Sequence, residues 1–338
     1  MKPEGSAIAP DRPPLRGRGA GLWWGAVGVL AFSFTMPFTR VAVEGQAMSP
    51  LFVGSARAVL AALLAGAALA LTRQRVPRGR QWVRVGIVAA GAVVGFPLLT
   101  SYALTGVPAS HGAVVVALLP AMTAVMAVLR GGERPRPWFW GAAGLGAVAA
   151  VVFAAIQHGG LGRAGAADLL LFAAVVVCAI AYAEGGLLSR ELGSWQTISW
   201  ALVLASPLML VLTGVAVVDR PPDATPLEWA AFAYLGVVSM FLGFVAWYRG
   251  LAIGPIATVG QVQLTQPVLS IVWAGVILHE SITWTTISGG VIVVACALLA
   301  VRTRSAAARA RPHTRRGIGF RGRMAACGHA PAHTERRR

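Results

Sequence analysis

Charged and hydrogen-bonding side chains are scarce inside the long apolar runs of this chain, so the few that occur there carry most of its chemical information. Arg57, His111 and Glu184 each stand within a run of aliphatic residues. An ionised group at the centre of a membrane helix costs on the order of 2.5 to 3.5 kcal/mol on insertion scales, so each one implies a partner, a cavity or a route to the interface. Arg57 lies seven residues into its run, roughly 10 Å along a helix rising 1.5 Å per residue. Its stem can snorkel outward as a structural anchor, and its planar fork is equally suited to a substrate carboxylate or an internal partner. Glu184 and His111 are the candidates for proton coupling. Against that, Glu184 reads as an interfacial residue near Arg190, with Gly185 and Gly186 permitting a close helix contact, and His111 as a satisfied core histidine.

A second group is uncharged. Thr258, Gln261 and Thr265 recur at helical spacing, as do Gln263, Gln266 and Ser270, which draws two neighbouring polar stripes on one helix. Gln261, Gln263 and Gln266 are read either as cavity-lining substrate ligands or as amides that join helices. Tyr102, Trp247 and Tyr248 supply aromatic walls for the same site or anchors at the membrane interface. Pro120 and Pro267 stand in mid-run, where a missing N–H frees a carbonyl one turn earlier and bends the helix. Such freed groups are tolerated beside neighbours, water or a cavity.

Enzyme signatures do not accompany these residues. The chain has no GxSxG, no phosphate-binding GxxxxGK[ST] and no HExxH, since His279-Glu280 lacks the second histidine. Cys178, Cys296 and Cys327 are far apart and imply no disulfide or metal cluster. A non-enzyme without metal or cofactor is expected.

The elements that must position these groups are membrane helices. Hydrophobic residues make up 57% of the 338 and charged residues 12%, about half the share in an ordinary soluble domain. Runs bounded by charge, Gly or Pro give ten spans: Leu22 to Val43, Pro50 to Leu71, Val83 to Leu104, Ser110 to Leu129, Trp138 to Ile156, Ala167 to Leu188, Trp195 to Val218, Leu227 to Tyr248, Ile256 to Leu278, and Trp284 to Val301. Short connectors, Gly106-Val107-Pro108 and Gly254-Pro255, predict two tight hairpins. With a cytoplasmic N-terminus, 25 of the 29 basic residues fall on the inner side, including 11 after the last span. Arg40, Arg163 and Arg220 stay outside. The expected location is therefore the bacterial cytoplasmic membrane, with both termini in the cytoplasm. The net charge of +17 follows from this topology, and nucleic acid is not an expected partner. The first run is long enough to span and has no clear cleavage site, so it reads as a helix rather than a signal peptide.

The spans repeat. Pro108, Pro120 and Glu133 recur as Pro255, Pro267 and Glu280, each 147 residues later, and the residues around them agree, as in Val115 with Val262 and Ala127 with Ala274. Five helices per unit place the second copy upside down relative to the first. The expected fold is all-α and integral to the membrane, with ten transmembrane helices as two inverted five-helix repeats. The units run over 22–156 and 167–302, after a basic N-terminal tail at 1–21 and before a disordered basic tail at 303–338 that rests near anionic lipid.

This arrangement, with Trp24-Gly25 opening the first span, AIAYAEGGLLSREL over 179–192 and WQTISWAL over 195–202, resembles the EamA family of the drug/metabolite transporter superfamily. The resemblance covers 22–302. It implies a secondary carrier of small metabolites with a cavity between its halves, many relatives exporting amino acids or related compounds, and it carries over no universal catalytic residue. Membrane lipid, a small-molecule substrate and a second copy of the chain are the expected partners. Two alternatives stay open: a cationic multidrug exporter, which would want an acid deep in the first span, and a membrane protein that does not transport.

Overall fold

The computed structural model describes residues 17–45, 47–131, 137–157, 165–253, 259 and 262–309. Among them the regular elements are helical. Eight helices are long and apolar enough to cross a membrane: α1 (Gly19–Glu44), α2 (Pro50–Leu71), α3 (Arg80–Gly106), α4 (Ala109–Arg130), α5 (Pro137–Ile156), α6 (Ala166–Leu192), α7 (Ser194–Asp219) and α8 (Pro226–Ile253). Two shorter apolar helices follow, α9 (Gln263–Ile277) and α10 (Trp284–Arg309), the apolar part of the latter ending at Ala300. The first half of the expected ninth span, with Gln261 and the Gly254-Pro255 connector, lies outside the described residues, as does Glu133. The basic tail expected to lack structure from 303 instead begins as helix. The run Ser305-Ala306-Ala307-Ala308 is rich in alanine, the strongest helix former, and carries α10 on to Arg309.

Local chemistry fixes where several of these helices begin. Ser49 accepts the Phe52 N–H at 3.2 Å and Pro50 occupies the first turn of α2, where its missing donor is no loss. Thr225 and Glu228 form a reciprocal capping box ahead of α8. Between α6 and α7 the chain turns through Gly193 at φ +100°, a conformation other residues resist.

Five helices depart from regular geometry in their middles. α1 breaks at Phe34, three residues before Pro37, and the carbonyl of Ser33 that Pro37 cannot bond accepts the Ser270 hydroxyl of α9 at 2.6 Å. α3 widens into a π-helix over Ala89–Gly95, and α8 does so over Tyr234–Leu242. α4 stops at Val116 and restarts at Leu119, the residue before Pro120. α9 passes through a 3-10 turn at Gln263–Thr265 and restarts at Gln266, the residue before Pro267. The prolines thus divide their helices instead of merely bending them. Leu119 and Gln266 are 147 residues apart, and so are the last π-helical residues Gly95 and Leu242.

Packing follows the same two-fold rule. α2 lies on α7, α4 on α9 and α5 on α10, while α1 against α8 has its image in α6 against α3. The α1–α8 crossing is a backbone approach: a Cβ on Gly250 would stand 2.8 Å from the Gly25 nitrogen, and one on Gly28 would stand 2.9 Å from the Trp247 nitrogen. Small residues let helix backbones meet where lipid offers no hydrophobic drive.

Candidate functional site

The irregular segments converge. A cavity at the junction of the halves is walled by Phe32 and Thr35 at the α1 break, Ala92, Phe96 and Pro97 at the α3 π-segment, Leu119 at the α4 restart, Tyr182 of α6, Leu235, Ser239, Met240 and Phe244 at the α8 π-segment, and Gln266 at the α9 restart. Arg57 of α2 completes it. About 20 Å³ is free, room for roughly one water, so the walls are drawn together in this conformation. Most of the surface is aromatic or aliphatic. The polar side chains are Thr35 and Arg57 from the first half and Tyr182, Ser239 and Gln266 from the second, and the Thr35 and Ser239 hydroxyls meet at 2.8 Å across the junction.

Arg57 is 2% exposed, so it does not snorkel to the interface. Its Nη1 donates to Thr39 Oγ1 at 3.4 Å and its Nη2 to Thr100 Oγ1 at 3.3 Å, both long, and its Nε has no hydrogen-bond partner among the described residues. No carboxylate pairs with it among those residues. Gln266 and Gln263 are also buried, with Gln266 Oε1 and Gln263 Nε2 unpartnered; Gln266 faces the cavity and Gln263 is not among its walls. Behind the cavity, Trp247 and Tyr248 are buried against Tyr182 and Phe244, with ring centroids 5.9 and 5.7 Å apart. Gly185 makes room for this second layer, since a Cβ there would stand 2.3 Å from the Tyr248 hydroxyl oxygen. Tyr102 is 43% exposed and stands apart from the cavity.

The two proton-coupling candidates sit near opposite ends of α6, Glu184 on that helix and His111 of α4 against its first turn. Glu184, 2% exposed, is ion-paired with Arg84 of α3 and Arg130 of α4, and Arg84 also reaches Glu191 at 2.5 Å. Its partners are therefore on other helices, and Arg190 is not one of those ion pairs. His111 Nε2 meets Asp168 Oδ1 at 2.7 Å, both side chains being buried. Asp168 lies 16 residues before Glu184, about 24 Å along the helix.

His111 also lines a polar vestibule of about 540 Å³ with Arg40, Glu44, Ser110, Glu280 and Thr286. Sequence reasoning passed over Arg40 here. Its Nη1 donates to the carbonyl of Leu104 at 2.6 Å and its Nη2 to Glu44 at 2.7 Å, closing the C-terminus of α3. Glu280 does the converse at the next helix: its carboxylate accepts the backbone N–H groups of Ala109 at 2.7 Å and Ser110 at 3.0 Å, capping α4. One half of the molecule thereby caps a helix of the other.

An apolar helical chain built twice over, with a partly polar cavity where the copies meet, has the build of a membrane transporter. Comparison with known proteins makes that class specific. The model of the EamA-like transporter family matches residues 19–155 and again 165–302, and the chain belongs to that family. An uncharacterized transporter of Bacillus subtilis (strain 168), YdeK, is 46% identical over 286 residues, 82% of this chain and 96% of its own length. A protein of Streptantibioticus cattleyicolor named as a probable terminal-alkyne amino-acid exporter is 24% identical over 258 residues, covering 75% of this chain and 85% of that one. A solved crystal structure at 20% identity superposes with a TM-score of 0.58 over 86% of this chain and 99% of that one, a likeness of fold.

Proposed function

We propose that the chain is a secondary carrier that exports small metabolites, amino acids or related compounds, across the bacterial cytoplasmic membrane by alternating access. The observation that carries this reading is the central cavity, with its polar groups drawn from both halves and its walls built from breaks, π-segments and restarts. A site at a repeat junction made from interrupted helices is what rocking of one half against the other requires. The S. cattleyicolor relative, named as a probable amino-acid exporter, supports the amino-acid class. In this reading α9 and α10 complete ten spans in two inverted sets of five, and the basic segments lie in the cytoplasm. A cationic substrate fits poorly, since the charged group lining the cavity is itself a cation, Arg57. The substrate ligands are Arg57 and Gln266, with Tyr182 and Phe244 held by Trp247 and Tyr248 behind them. The buried His111–Asp168 pair, whose histidine lines the vestibule, is the site for proton coupling.

Purified protein in liposomes loaded with amino acids, propargylglycine among them, should release at least one well above protein-free vesicles. No movement across amino acids, nucleosides and cationic drugs would sink the reading.

A further inference from the structure

We infer that Arg57 is the binding site for a carboxylate, so that the transported molecule carries one and docks it against this guanidinium from within the central cavity. The inference rests on the carrier reading above and adds to it the charge of the substrate and the atom that reads it. A fully buried guanidinium without a counter-ion is among the costliest arrangements a membrane interior can hold. The buried carboxylate of this same chain, Glu184, is by contrast ion-paired, with Arg84 and Arg130. Arg57 has only two long bonds to threonine hydroxyls, and its Nε is unpartnered among the described residues. Thr100 Oγ1 meanwhile lies 2.7 Å from the Phe96 carbonyl, to which it donates, so its hydroxyl proton is already committed.

Geometry supplies the acceptor's place. Arg57 faces the cavity alongside Gln266, whose Oε1 is likewise unpartnered. A carboxylate takes two parallel N–H donors from a guanidinium, and the Gln266 carbonyl oxygen is free to accept from an adjoining amino group. Phe32, Phe244 and Met240 leave an apolar side for the remainder of the molecule. The ligand is thus an amphipathic zwitterion rather than a polyanion or a sugar.

The test uses the full-length protein in liposomes with three probes, leucine, phenylalanine and propargylglycine, each beside its amide and its decarboxylated amine. Release of at least one acid, with its amide and amine at least tenfold slower, is expected. Arg57→Gln should lose at least tenfold in release of that acid, with Arg57→Lys retaining part of it. A purely structural Arg57 would show itself differently, so the thermal midpoint in detergent is measured as well: Arg57→Gln removes an uncompensated charge and should leave the midpoint unchanged or raised, whereas loss of an anchor lowers it. Equal release of acid and amine, or Arg57→Gln as active as wild type, overturns the inference and leaves the carrier reading standing. Failure of every probe, charged or not, overturns this inference, and the carrier reading falls with it when nucleosides and cationic drugs also fail to move.

Discussion

Two buried charges in one membrane chain meet opposite treatment, and the difference separates scaffold from site. Glu184 is neutralised by two arginines and Arg57 by none among the described residues. Glu184→Gln should therefore lower stability where Arg57→Gln does not. Arg130 is half exposed and Arg84 partly so, which screens the pairs and holds the expected loss to about 1–3 kcal/mol, read as a fall in the thermal midpoint. The same mutant should keep pH-gradient-driven flux, while His111→Ala should lose it and retain exchange without a gradient. Coupling lost in Glu184→Gln and kept in His111→Ala would reverse these assignments. The sequence marked all three residues because each interrupts an apolar run. It could not supply their partners: Glu184 reads naturally beside Arg190 on its own helix, whereas Arg84 and Arg130 are 100 and 54 residues away. Nor did helical spacing reveal Asp168, which reaches His111 from a different helix.

At the scale of the element, helices end where their dipoles are answered. Glu280 accepts two N–H groups at the start of α4, and Arg40 meets the carbonyls at the end of α3 one hairpin turn before. Glu280→Ala should cost about 1–2 kcal/mol, and Glu280→Gln less, because the amide oxygen still accepts a bond while the favourable charge is lost. Equal midpoints for wild type and Glu280→Ala would show that the cap is idle. The repeated Pro and Glu residues made the duplication legible and located both helix restarts to within a residue, since proline acts locally and by a fixed mechanism. The paired π-segments in α3 and α8 were not legible. A π-turn needs only one inserted residue's worth of strain relief, and its residues, AAGAVVG and YLGVVSMFL, suit an ordinary helix as well. Pro37 was visible in the sequence too, but without an image in the second half it drew no notice.

The whole molecule sorts into two bodies related by the repeat. α3 and α4 pack on α6, and their images α8 and α9 pack on α1. The Glu184 cluster ties together members of the first body and so moves with it. The bodies meet where α9 packs on the first half of α4 and where the second half of α1 packs on α3 and α4, while the second half of α4, past the Pro120 restart, packs on α6 and α10. Arg40 and Glu280 cross between bodies at that same end, on the side assigned to the exterior. In an alternating-access cycle these bonds must break for the cavity to open outward, so they bias the resting equilibrium toward outer closure. Each is a charge-assisted bond worth about 1.5–3 kcal/mol, and removing both should raise the outward-open population at least tenfold. The measurement places a reporter in the cavity with Ser239→Cys, in a background carrying Cys178→Ala, Cys296→Ala and Cys327→Ala. Labelling of residue 239 by a membrane-impermeant thiol reagent from outside intact cells should then accelerate about tenfold on adding Arg40→Ala and Glu280→Ala. Unchanged labelling would mean that helix packing, α9 on α4 and α1 on α3 and α4, holds the outer ends of the bodies together, and that these two residues serve their helix ends and nothing larger.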